Sequence, residues 1–167
     1  MHGIAVLREQ LRLERADEGD FEALLALRIA ALRDGLERVG RSEPARVRDR
    51  LGRSFSPANT RHIVSQGQRV GFVAVTRGES LWRIDHLYVD PAVAGCGIGG
   101  WALDQVLAEA DAAGVALAFT ALKRSDAVRF YERHGFRCIG QNDWDVHYLR
   151  PARHALQLVP GMSGLPG

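Results

Sequence analysis

Four glycines fall at positions 95, 97, 99 and 100, just after the apolar run Leu87-Tyr88-Val89 and the stop Asp90-Pro91. Lacking a β-carbon, glycine lets a backbone come close to a ligand. Where such a turn opens a helix, the first N–H groups have no intrahelical acceptor and the helix dipole adds positive potential. Phosphate oxygens suit that environment. The candidate anion cradle is therefore the run Gly95-Cys96-Gly97-Ile98-Gly99-Gly100, and a plain flexible turn is the bland alternative.

Gly95, Gly97 and Gly100 also fit the dinucleotide fingerprint. That fingerprint wants a leading βαβ unit and an acidic residue about 20 positions on. The corresponding positions here, near Phe119 and Thr120, carry no acid at the strand end, and antiparallel strands precede the turn. A nicotinamide-binding fold is rejected on those grounds.

A second constellation is Ala127-Val128-Arg129-Phe130-Tyr131-Glu132-Arg133-His134-Gly135-Phe136. Helical spacing puts Tyr131 on one face with Ala127, Phe130 and His134, so a packed core tyrosine is the simplest account. Its phenol is also a competent proton donor. Cys96 at a helix start is a conceivable thiolate, but nothing else marks it as a nucleophile. His134, Cys138 and His147 lack metal-ligand spacing, so no metal is expected.

The elements that position these residues can be read from periodicity. Leu11 to Arg15 alternates as a strand, and Asp17 or Asp20 caps a helix with Phe21, Leu25, Ile29, Leu32 and Leu36 on one face. Gly40 stops that helix, and Pro44 opens another that ends near Arg53. The run from Ser54 to Asn59 reads as loop. Arg61–Ser65, Arg69–Thr76 and Leu81–Val89 read as strands, punctuated by Gln66-Gly67 and Arg77-Gly78. A helix over about 97–113 precedes a buried strand over 115–121, and a short helix over 125–134 is closed by Gly135. Phe136–Ile139 and Val146–Leu149 finish the sheet. The tails, 1–10 and 156–167, read as loose.

The chain has 167 residues, enough for one domain with its own core. A formal charge of +2 gives no reason to expect nucleic acid or a membrane as partner. Two cysteines make no disulfide framework. No apolar stretch reaches membrane-spanning length, and the N-terminal run Ile4–Leu7 is too short for a signal peptide. A cytoplasmic location is the expectation. Arg41, Arg46, Arg48, Arg50 and Arg53 read as a solvated helix face.

The two constellations together resemble the GNAT superfamily of acyl-CoA N-acyltransferases. Its turn has the form Gln/Arg-x-x-Gly-x-Gly/Ala, matched by Gly97 and Gly99 after the strand Leu87-Tyr88-Val89, and its later helix carries Ala-x-x-Phe-Tyr-x-x-x-Gly-Phe. This sequence departs at Ala94, where the family has Gln or Arg, and at Arg124, where it has Asn. Ser125 or Asp126 is the stand-in for that Asn. The resemblance implies an α+β fold with a mixed, mainly antiparallel sheet flanked by about four helices. It implies acetyl-CoA as co-substrate, bound by residues 87–89, 94–100, 124–126 and Tyr131.

The chemistry implied is direct transfer of an acetyl group to a primary amine of a small molecule or peptide within a ternary complex. By resemblance, Tyr131 protonates the departing thiolate, an amide near Val89 serves the carbonyl oxygen, and splayed strands hold the pantetheine arm. The proton-accepting group stays open between Asp85, His86 and water, because the position of the family's glutamate is Arg83 here. A catalytically weak acyl-CoA sensor on the same fold is the alternative function. Homodimers are common in the family.

Overall fold

The computed structural model describes residues 10–38, 44–123 and 127–153. Seven strands form one sheet: β1 (Leu11–Arg15), β2 (Thr60–Ser65), β3 (Gln68–Arg77), β4 (Leu81–Val89), β5 (Ala116–Leu122), β6 (Arg137–Gln141) and β7 (Asp145–Arg150), in the order β1-β2-β3-β4-β5-β7-β6. The helices are α1 (Phe21–Arg38), α2 (Pro44–Ser54), α3 (Ile98–Ala113) and α4 (Ala127–Arg133). This is the expected α+β fold. The described residues fall into two compact units, one of residues up to Val75 with Asp85–Leu103, the other of Thr76–Ile84 with Asp104 onward.

In the first unit, β1 pairs antiparallel with β2, and β2 with β3. The β2–β3 turn is Gln66-Gly67, with φ of 52° and 78°. Two successive left-handed residues make the tight hairpin turn whose twist matches that of the strands. The β3 register skips Val70, since Ile63 faces Gly71 and Val64 faces Arg69. The Val70 carbonyl accepts instead from the Asp90 N–H at 2.8 Å. A bulge in β3 thus ties down the end of β4.

Alternation along β4 divides its side chains between two apolar clusters of this unit. Tyr88 joins Leu24 and Leu25 of α1, Val47 and Leu51 of α2, and Phe72 of β3. Leu87 and Val89 join Ile63, Val70 and, from α3, Ile98 and Ala102. The buried stripe of α1 is Leu24, Leu25 and Arg28, with Phe21 and Ile29 half-buried. The expected Phe21–Leu25–Ile29 face packs into the Tyr88 cluster, and Leu24 and Arg28 widen it, Arg28 bonding the Val47 carbonyl of α2. The expected Leu36 side chain, Gly40 and Arg41 lie outside the described residues. Arg46, Arg48, Arg50 and Arg53 are exposed, and Arg48 makes a bidentate pair with Glu22 at 2.9 Å.

In the second unit, Leu81–Ile84 of β4 pairs parallel with Ala116–Phe119 of β5. The parallel register stops at Ile84, while β4 continues to Val89. The rest of this unit is antiparallel, β5 with β7 and β7 with β6. Instead of the continuous burial expected for β5, Leu117 and Ala121 are buried and their neighbours are half-buried. Gly114 and Gly135, at φ of 73° and 93°, end α3 and α4 in the left-handed conformation. Arg150, with 4% of its surface exposed, is held by Asp111 of α3 through two bonds of 2.9 and 3.1 Å.

Candidate active site

The glycine turn lies in the first unit. After β4, Asp90 accepts a hydrogen bond from the Ala92 N–H at 2.9 Å and caps a single tight turn over Pro91–Val93. The Asp-Pro pair therefore stops the strand by its own bonding. Gly95 and Gly97 follow at φ of 83° and 80°, a conformation that disfavours any side chain. The Gly97 carbonyl accepts from the Trp101 N–H at 3.0 Å, so the helical bonding begins there. The amides of Ile98, Gly99 and Gly100 occupy the first turn of α3, which the intrahelical ladder leaves without acceptors.

Ala94, Gly95, Cys96 and Gly97 are exposed, Gly99 and Gly100 are half-buried, and Ile98 is buried. A β-carbon added at Gly95 would meet nothing within 4 Å. This open, amide-lined helix start fits a diphosphate, and the buried Ile98 anchors it to the cluster containing Leu87 and Val89. Ala94 contributes no polar side chain. Cys96 and Cys138 are both exposed and unbridged.

Of the two side chains considered as proton acceptors, Asp85 is half-buried and His86 is 4% exposed. His86 points to the α1–α2 cluster, its ring 6.0 Å from Phe72 and 5.9 Å from Tyr88. Its Nε2 lies 2.7 Å from the hydroxyl of Ser54, the last residue of α2. Burial pushes the imidazole down to about 4, Arg28 and Arg50 add to the shift, and Asp85 opposes it. The ring is therefore neutral at pH 7 but a weak base.

Tyr131 belongs to the second unit. It is 3% exposed, stacked on Phe119 and meeting Phe130 and Phe136 edge-on. The predicted packing of this residue is thus present. Arg124, Ser125 and Asp126, the other expected cofactor contacts, lie outside the described residues.

Sequence reasoning missed Ser54 and Arg28. Ser54 carried no signal, being one of two serines in an expected loop. Arg28 did carry one: it stands four residues after Leu24 in an otherwise apolar helix stripe, where a charge needs a reason.

The profile of the acetyltransferase (GNAT) domain matches residues 38–147. The chain belongs to the GNAT acetyltransferase family. Solved structures agree on the fold. The PaiA N-acetyltransferase of Thermoplasma acidophilum, crystallised in complex with coenzyme A, aligns at a TM-score of 0.66 and 12% identity, over 84% of this chain and 98% of that one. An acetyltransferase of Thermus thermophilus aligns at 0.69 and 20% identity, over 89% and 99%. The apo form of YjaB from Escherichia coli aligns at 0.65 and 25% identity, over 83% and 95%. No curated protein matches the sequence. Among the described residues of this GNAT chain, no helix is long and apolar enough to cross a membrane.

Proposed function

We propose that this GNAT chain is an N-acetyltransferase, working as a single domain over residues 11–150, that moves the acetyl group of acetyl-CoA to a primary amine. The observation that carries the reading is the glycine turn. Two left-handed glycines and the first turn of α3 present backbone amides at an open surface. A PaiA N-acetyltransferase of the same fold was crystallised with coenzyme A, which supports the same ligand class here.

The chain's residues then have three tasks. The turn holds the diphosphate through N–H groups and the α3 dipole, with Leu87, Tyr88 and Val89 leading into it. An amide near Val89 donates to the thioester oxygen as it gains charge. The early end of the parallel register, at Ile84, supports a role for the last residues of β4 beyond sheet pairing.

Proton transfer is the remaining task. A lysine-like amine of pKa 10.4 is neutral in roughly 1 of 2,500 molecules at pH 7, so a proton must leave before attack. We assign its removal to Asp85, directly or through water, because Asp85 is half-buried whereas His86 is enclosed with its Nε2 against the Ser54 hydroxyl. Tyr131 returns a proton to the departing thiolate. The amine nitrogen forms its bond to the carbonyl carbon as the carbon–sulfur bond breaks, giving an amide and free coenzyme A.

The test has two arms. Thiol release from acetyl-CoA across amine classes, with mass spectrometry of the product, should show one class acetylated. Calorimetry on Gly97→Glu should show coenzyme A binding abolished, because the substitution adds bulk, strain and negative charge to the cradle. Unchanged affinity would place the cofactor elsewhere. Tight cofactor binding with no amine acetylated would turn the reading toward an acyl-CoA sensor, which the exposed Ala94 in the Gln/Arg position favours.

A further inference from the structure

Two deeply buried arginines are treated differently by this protein. Arg150 meets a carboxylate of Asp111 with two bonds through Nη1 and Nη2, although its own Nε is also enclosed without a partner. Arg28, 5% exposed on the apolar stripe of α1, meets none among the described residues. Its Nη1 donates to the Val47 carbonyl at 2.8 Å, and its Cζ lies 5.6 Å from the centre of the Tyr88 ring. Among the described residues, one carbonyl and one ring face leave the charge without an anion, although a guanidinium remains protonated in proteins and its burial is costly unless it is paired.

The open side of the guanidinium has a definite shape. Nε is enclosed and has no hydrogen-bond partner, while Nη2 is neither bonded nor enclosed. Those two N–H groups form the edge that grips a carboxylate with two parallel bonds. A second polar atom nearby is also enclosed without a partner, Nδ1 of His86. Arg28 and His86 flank the same Tyr88 ring. Both belong to the α1–α2 side of β4, whereas Leu87 and Val89 pack with Ile98 at the start of α3. The missing anion is therefore distinct from the diphosphate that the glycine turn would hold.

We propose that Arg28 binds a carboxylate of the acceptor, so that the amine acetylated by this chain is a small amino acid-like molecule. The assignment rests on the reading that an amine is the acceptor at all. The carboxylate approaches from the Nη2 side. It supplies the counter-charge Arg28 lacks, with Tyr88 as an apolar wall. Arg28 is here a binding and specificity residue, and the transfer steps are those given above.

The experiment uses the full chain and three matched sets: free amino acids, the same amino acids as primary amides, and the corresponding 2-hydroxy acids. In thiol-release assays the amino acids should show a KM at least about tenfold below their amides. Arg28→Gln should raise that KM about 100-fold, leave the amides nearly unaffected and keep the KM for acetyl-CoA within about twofold. The hydroxy acids, which carry the carboxylate but no amine, should stabilise the wild type in thermal melts and fail to stabilise Arg28→Gln. If Arg28→Gln does not fold, Arg28→Lys is read instead. It keeps the charge without the fork and should lose about tenfold on amino acids only.

A wild type that prefers amides, or a variant that keeps the carboxylate preference, overturns the proposal. So does a parallel loss of acetyl-CoA affinity, which would assign the charge to the cofactor. Arg28-dependent binding of hydroxy acids with no amine acetylated would support the carboxylate site while removing the transferase reading. Acetylation of amines without regard to a carboxylate would do the reverse.

Discussion

Phe119 and Tyr131 stack with ring centroids 3.5 Å apart and planes 18° from parallel. Phe130 and Phe136 meet Tyr131 edge-on, and the residue is buried. A phenylalanine at this position would keep every ring contact and remove only the hydroxyl. Tyr131→Phe should therefore still fold, and it should lose much less in coenzyme A affinity than in turnover. As the proposed general acid, its loss should lower turnover about 10²-fold or more. Equal turnover in single-turnover assays would take Tyr131 out of the mechanism.

The burial of His86 makes a prediction about acid stability. His86 binds its proton near 4 in the folded protein and near 6.5 when unfolded. Between those values the unfolded state holds more protons, so stability rises with pH through the window and drains as pH falls through it. The shift corresponds to a loss on the order of 3 kcal/mol on going from pH 7 to 4. Arg28, Arg50 and Asp85 are the charges acting on the ring. Thermal melts at pH 7, 5.5 and 4.5 should show the decline, and His86→Gln should flatten much of it. Asp20, held near 2 mainly by the Asp17 amide and by His62, loses its contribution only below its ordinary value of 3.8. The two windows are separate on the pH axis.

The sequence was most legible where local chemistry decides structure. Asp90-Pro91, the glycines at 95 and 97, and Gly135 each perform at the backbone the job their type suggests. Leu81–Val89 has the strand bounds read from its β-branched and aromatic content. What escaped were features set by partners remote in sequence. The burial of Arg28 goes with its bond to Val47 of α2, the β3 bulge at Val70 with the Asp90 amide, and Ser54 acquires meaning only beside His86. Asp85 and His86 were seen as neighbours, yet only the packing of Phe72 and Tyr88 reveals how far burial weakens the imidazole.

Gly71 is required by space rather than by turn geometry. A β-carbon there would overlap the Tyr88 carbonyl oxygen and sit 3.2 Å from Val89 Cα and 3.1 Å from Ile63 Cδ1. Two of those obstacles are backbone at the end of β4, which has little room to yield. Gly71→Ala should cost about 2 kcal/mol or more and weaken coenzyme A binding by displacing the strand that leads into the glycine turn. Gly140→Ala is the matched control, since nothing lies within 4 Å of its added carbon and its backbone is ordinary. Chemical denaturation of the pair should show a loss for the first and little change for the second. Similar midpoints would mean that β4 moves easily.

Asp111 and Arg150 are unequally exposed, at 25% and 4% of their side chains, so removing either partner should not cost the same. Asp111→Asn leaves a guanidinium enclosed without its counter-charge, a loss of about 3 kcal/mol. Arg150→Met leaves a carboxylate that water already reaches and fills the space with an apolar chain, so it should cost distinctly less. The bond from Arg150 also holds Asp111 below its ordinary value of 3.8. With a lowered native value, its contribution is complete above that pH and is lost as pH falls below it. Urea denaturation of both variants at pH 7 gives the order, and repeating it at pH 3 should narrow the gap between wild type and Asp111→Asn. Equal losses at pH 7 would show that the pair acts through packing rather than charge.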